Sequence, residues 1–366
     1  MTKKTYIGYD LGDGETITDV VTLEAGKSTS KTVFENMTMP NTVTPGQAMP
    51  TVFAYDESGK VMFAQTITEE PEAVQDIIVN FKRRPSDLLK NRSDMNDSEL
   101  IDFLKKASDW PDASVWADGN SAEMLNFKKS VIVFTNAIFS DDSYINRLKS
   151  LAQSSEEIVF CVGHPTNWSE LDIAIYERIL KNSILGRGKY EGKMSSIILE
   201  AESRAAFLYS KDREAFGRLP KGSSVLLIDV GSSTIDITAM TAASNNHQYN
   251  SGNNYLGARS IDFMIRDWYL EQIKKNPVNW SMYQDLVKNN PTIPNALTLS
   301  CRLAKERLYS STQKMSRIYF PSFPGVRLKE EDLDKVIDET PIAQILKEII
   351  NLNSQECARM GNKPCK

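Results

Sequence analysis

The stretch Val225-Leu-Leu-Ile-Asp-Val-Gly-Ser-Ser-Thr-Ile-Asp-Ile-Thr-Ala-Met240 decides how the rest of the chain is read. Val225 to Ile228 is a short continuous apolar run, the mark of a strand covered on both faces. Ile235 to Met240 is rich in β-branched residues, as a returning strand is. With Ser232 and Ser233 at the tip of the turn, paired positions sum to 465, which sets Asp229 opposite Asp236. Two carboxylates so placed have Cβ atoms roughly 5 Å apart and repel each other. A fold keeps such a pair where a cation, or a ligand carrying one, sits between them. The amides of Gly231 to Thr234 point into the same space and can cradle phosphate oxygens. Magnesium and a polyphosphate are the implied ligands. An ordinary buried hairpin with aspartates capping its turn has the same local sequence.

The start of the chain repeats the pattern. Thr5-Tyr-Ile-Gly-Tyr-Asp10-Leu-Gly-Asp-Gly14 is again an apolar strand, an aspartate and a glycine turn, and Ile17 to Leu23 returns as a strand. Asp13-Gly14 is a strong short hairpin signal. The two aspartates are 219 residues apart (229 minus 10), which suggests two similar half-domains facing one nucleotide from either side.

These segments resemble the two phosphate motifs of the actin, sugar-kinase and heat-shock-chaperone ATPase superfamily. Further matches, in that family's order, are nearest the nucleotide-binding domain of DnaK-type chaperones. Met49-Pro-Thr-Val-Phe-Ala-Tyr, followed by Val79-Asn-Phe-Lys82-Arg, resembles the segment carrying the active-site lysine. Ile158-Val-Phe-Cys-Val-Gly-His-Pro165-Thr resembles the strand ending in a switch proline. Glu202-Ser-Arg-Ala-Ala-Phe-Leu-Tyr209 is similar to the inter-lobe helix, and Leu256-Gly-Ala-Arg-Ser-Ile-Asp262 to the opening of a small subdomain. Cys301-Arg-Leu-Ala-Lys305-Glu-Arg-Leu-Tyr-Ser resembles the helix lining the adenosine pocket.

The resemblance implies an α/β, actin-like ATPase fold of two lobes, each with a ribonuclease-H-like mixed sheet and an inserted subdomain. Lobe I would span 1–212 with its insertion at about 41–155, and an incomplete lobe II 213–366 with a small subdomain at about 259–328. The implied function is a slowly hydrolysing ATP/ADP switch with Mg2+. A small-molecule kinase and an actin-like filament-forming ATPase share the fold and stand as alternatives. Catalytic roles fall on Lys82, Glu202, Asp229 and Thr234, with Glu200 the alternative to Glu202. Nucleotide contacts fall on Asp10, Gly12, Asp13, Gly14, Gly231, Ser232, Ser233, Gly257, Ala258 and Lys305. Asp10, Asp229 and Asp236 would hold the metal through water. Lys82 would offset charge on the transferring phosphoryl group, although a Lys-Arg-Arg run is commonly a solvated one.

Four departures from the family pattern bear on this. Asp13 and Glu15 replace hydroxyl residues, and extra acids beside a triphosphate repel it unless they face metal or solvent. Ala258 replaces the second glycine of a pair and narrows the backbone approach. Arg302 and Glu306 stand where an acid and an arginine meet the base and ribose, which opens the choice of nucleotide. A glycine-rich adenosine loop is expected to follow Lys366 in a longer protein, with a protein client or co-factor protein bound through that region. Nucleotide affinity of the present stretch alone is then expected to be poor.

A net charge of −5, from 43 basic and 48 acidic residues, argues against generic nucleic-acid binding. No apolar run nears the roughly 20 residues that span a bilayer, and Met-Thr-Lys-Lys leads straight into a strand, so no membrane partner is expected. Cysteines 161, 301, 357 and 365 make no disulfide framework. The expected location is cytoplasmic.

Local patterns place three strands in 1–40, a hairpin turning at Glu57-Ser-Gly59, and helices at 71–82, 98–107 and 141–153. A strand at 131–134, a buried strand at 158–162 and a helix at 169–182 with Ser169 as N-cap follow. Glu200 to Tyr209, Ser260 to Lys275 and Leu297 to Ser310 read as helices. Residues 38–50, 85–96 and 243–254 read as loops, 213–222 as a linker, and 329–337 and 341–359 as helices.

Overall fold

The computed structural model describes residues 3–24, 33–36, 48–63, 67, 75–89, 96–106, 122–153, 155–212, 224–241, 247–253, 256–310, 314–320, 323 and 325–338, with isolated positions at 347–348, 351 and 355. The chain is mixed α/β and divides into two compact units. The first is Met1–Thr51, Phe63–Gln65 and Phe81–Arg218; the second is Val52–Met62, Thr66–Asn80 and Leu219–Lys366. Residues 41–155, the expected insertion, contribute to both units. Among the described residues no helix is long and apolar enough to cross a membrane. Cys161 and Cys301 are free thiols; positions 357 and 365 lie outside the described residues.

In the first unit, β1 (Lys3–Leu11), β2 (Glu15–Glu24) and β3 (Val33–Asn36) run antiparallel in sequence order, and β4 (Met49–Pro50) pairs with the start of β2. Helices α1 (Asp97–Lys106), α2 (Ala122–Phe139) and α3 (Asp142–Leu151) come before β8 (Glu157–His164). Then follow α4 (Glu170–Lys181), β9 (Lys189–Tyr190), β10 (Lys193–Ala201) and α5 (Glu202–Asp212). The sheet order is β3-β2-β1-β8-β10-β9, with β1, β8 and β10 mutually parallel. Alternate residues of β1, namely Ile7, Tyr9 and Leu11, are buried, and Phe160 and Val162 of β8 stand beside Ile7 and Tyr9. Phe139 of α2 meets Tyr9 and Phe160 edge-on, at centroid distances of 5.1 and 5.3 Å. Each such side chain contributes about 1.5–3 kcal/mol by burial. The even-numbered β1 residues face the other way, which leaves Asp10 exposed at the strand's end.

The second unit opens with β5 (Val52–Tyr55), β6 (Val61–Phe63) and β7 (Gln75–Val79), ordered β6-β5-β7. Gly59, at φ 80°, makes the turn that the sequence places there. Next come the antiparallel β11 (Ser224–Val230), β12 (Ile235–Thr241) and β13 (His247–Asn253), then α6 (Ala258–Lys274), α7 (Pro277–Asn289) and α8 (Ile293–Ser310). A β14 (Met315–Ile318) and β15 (Val326–Lys329) hairpin and α9 (Glu330–Asp338) follow. Ile265, Tyr269, Leu297, Cys301, Leu308 and Leu328 form the core of these helices and hairpin. Val52, Ala54 and Ile77 pack on Leu299 of α8 instead.

Three local expectations are corrected. The helix at 71–82 is, where described, strand β7: Asp76 and Asn80 stand at φ 51° and 53°, which no α-helix accommodates. Val131 to Phe134 lies inside α2, whose buried Met124, Phe127, Val131, Phe134 and Ile138 recur at helical spacing. The polar loop at 243–254 holds β13, an outer strand paired to β12 through its backbone. In the loop at 85–96, Pro85–Leu88 is a 3-10 turn. The linker 213–222 and most of the helix at 341–359 lie outside the described residues.

Candidate functional site

The first unit gathers four sequence-separated segments around Lys82. Thr51 donates its hydroxyl to Gly12 O (2.8 Å) and its amide to Gly14 O (2.8 Å), which ties the β1–β2 turn to the strand behind it. Asp13 is buried, and its Oδ1 accepts the Lys82 amide at 3.1 Å. The expected choice between metal and solvent for Asp13 is thereby changed: the carboxylate turns inward as a backbone anchor, while Glu15 is exposed. Lys82 itself is 3% exposed, so the solvated-run reading fails. Its Nζ lies 2.8 Å from Glu202 Oε1 and 5.9 Å from the centroid of the Trp168 ring.

Glu202 is therefore the glutamate that reaches the lysine. Glu200, the alternative, lies on β10 and pairs with Arg204 at 3.2 Å. At the end of β8, a Cβ on Gly163 would stand 3.1 Å from Glu202 Cγ and 3.8 Å from Asp10 Oδ1. A side chain there would press on Glu202, which would have to give by a few tenths of an ångström. Burial pulls the Lys82 pKa down, yet the carboxylates of Glu202, Asp10 and Asp13 outweigh it, and the ammonium's pKa rises above the lysine norm. His164 is buried with Nδ1 2.9 Å from Pro165 O, a local bond that holds the ring against its own backbone.

In the second unit, Asp229 faces Asp236 across β11 and β12, with every pair from Ser224↔Thr241 to Val230↔Ile235 in the register read from the sequence. Asp236 is 2% exposed, and Asp229 is half-buried. Gly231 N–H donates to Thr234 O (3.0 Å), closing the turn over the buried Ser233 and Thr234. The turn is joined to α6: Ala258 N–H donates to Gly231 O (3.0 Å) and Arg259 N–H to Ser232 O (2.9 Å). These two N-terminal amides are engaged within the protein, so Ala258 holds the helix to the turn. A Cβ on Gly257 would fall 2.3 Å from Ser232 O, so this approach requires glycine.

Lys305 of α8 is 2.6 Å from Asp262 Oδ1 and 3.3 Å from Ala258 O, which locks α8 to the first turn of α6. Burial raises the Asp262 carboxyl above its usual range, against the lowering pull of Lys305. Arg302 donates Nε to Glu306 Oε1 at 2.7 Å. The reversed pair is thus still a pair, one helical turn apart. Among the described residues no group of three or more His, Cys, Asp or Glu side chains is placed to hold a metal directly.

Sequence reasoning passed over Thr51, Trp168 and Asp262 as functional positions. Thr51 and Asp262 lie inside quoted motifs, but their partners are set by tertiary contacts that no local pattern encodes. No protein-family model matches the chain, nor does any curated protein.

Proposed function

We propose that this chain is a magnesium-dependent nucleotide switch of actin-like, two-lobed fold, binding ATP and hydrolysing it slowly, in the manner of a DnaK-type chaperone domain. The observation that carries this reading is Lys82. A lysine 3% exposed, bonded to Glu202 at 2.8 Å, with Asp13 on its backbone and Asp10 nearby, unites three segments that the resemblance singles out one by one. The strand order β3-β2-β1-β8-β10, three antiparallel and then parallel, supports a ribonuclease-H-like first lobe.

The raised pKa of Lys82 gives its role. An ammonium that keeps its proton is no general base at neutral pH, so Lys82 acts through charge. Glu202 fixes its direction. Asp229 and Asp236, opposed on one hairpin, would hold Mg2+ through water, since that ion takes one or two carboxylates and keeps several waters. The metal would neutralise phosphate oxygens. Ser232, Ser233 and Thr234 line the turn where phosphate would lie, with Gly12 and Gly14 in the corresponding turn of the first unit. Lys305 acts by holding α6 in place.

The test is phosphate release from Mg-ATP by the full-length protein with no acceptor added. Release that depends on Lys82 and Asp229 supports a hydrolysing switch. Release only with an acceptor would make the protein a kinase.

A further inference from the structure

We propose that Tyr176 anchors a buried water beneath the Lys82–Glu202 pair, and that this water holds Glu202 in the direction Lys82 needs. Tyr176, on α4, is 0% exposed, and its hydroxyl is buried with no hydrogen-bond partner among the described residues. Its ring meets Trp168 edge-on at 5.3 Å, and the same Trp168 ring lies 5.9 Å from the Lys82 ammonium. Trp168 thus stands in contact with both the phenol ring and the lysine of the cluster. Another buried tyrosine hydroxyl of this unit, on Tyr9, is already bonded to Thr135 at 3.1 Å.

A buried hydroxyl left without a partner costs about 1–3 kcal/mol, and native folds seldom retain one. Burial, followed by the charges of Glu202 and Asp10, pushes the phenol well above its ordinary range, so it stays protonated and must donate. A buried water needs two to four polar partners. Here it would accept from Tyr176 and donate to the Glu202 carboxylate. Tyr176 is then a positioning residue, acting on Glu202 through the water.

Tyr176→Phe keeps the ring on Trp168 and deletes only the hydroxyl. We expect the variant to melt roughly 2–4 °C lower. We also expect the wild-type-minus-variant Raman difference to show the Fermi doublet of a hydrogen-bonded tyrosine, and a crystal structure to show the water in the wild type alone. A variant that melts at the same temperature or higher, or a difference spectrum of an unbonded phenol, overturns the water site. The kinetic arm rests on the hydrolysis proposed above: phosphate release should fall roughly tenfold, the scale on which outer-shell hydrogen bonds act. A variant rate equal to the wild type overturns the positioning role. A wild type that releases no phosphate overturns the proposed function instead, while the melting and Raman arms still decide the water.

Discussion

Lys82 illustrates how charge is kept inside a fold at the scale of one residue. Its folded pKa is raised above 10.5, so the stability it contributes is complete below pH 10.5 and is lost as pH rises through the folded value. Wild-type protein should therefore exceed Lys82→Met in unfolding free energy by a constant margin at neutral pH, and that margin should shrink above pH 10.5. Denaturant titrations across that range check it, and a margin unchanged in strong alkali would count against the pair. Removing the partner of a largely buried carboxylate costs about 3–5 kcal/mol. The lysine's importance was legible only through resemblance: nothing in Phe81-Lys-Arg-Arg84 reveals that Glu202, 120 positions away, will meet it.

Elements depend on a few anchors. Asp172 caps α4 through Ser169, ion-pairs Arg84 at 3.0 Å, and accepts the Ser86 amide at 2.7 Å. Burial works to raise its pKa, but the bonds from Ser169 and Ser86 prevail and lower it below 3.8. Its contribution is present above pH 3.8 and is lost as pH falls through the lower folded value. Asp172→Asn should lose about 3–5 kcal/mol at neutral pH by chemical denaturation and show a weaker acid transition. Gly257→Ala should cost about 1–3 kcal/mol by the same measurement, because the new Cβ meets the backbone of Ser232. Ser169 as N-cap and the Asp229↔Asp236 register were readable, because capping and a two-residue turn tip are local rules. Strand β7 and helix α2 were not. Positive φ at Asp76 and Asn80 has no sequence requirement, and Val131 to Phe134 alone fits either period. Strand β13 lacks apolar alternation and is a strand only because β12 offers it a backbone ladder.

At the scale of the whole molecule, each of the two units carries an acidic β-hairpin, and under the proposed function each hairpin contributes to Mg-nucleotide binding. Asp10→Ala and Asp229→Ala should each weaken Mg-ATP binding at least tenfold in calorimetric titrations, and chelating Mg2+ should weaken the wild type alike. Binding unchanged in either variant would remove that hairpin from the site. The pattern of two hairpins was legible from composition and turn chemistry alone. What was not legible is that Val52–Met62 and Thr66–Asn80 leave the first unit and join the second, since that depends on Val52, Ala54 and Ile77 finding Leu299. The most direct measurement is phosphate release from Mg-ATP by full-length wild-type protein and by Lys82→Ala, at equal nucleotide occupancy. Slow release by the wild type and none above background by the variant is the expected result; equal release by both would contradict the proposed role of Lys82.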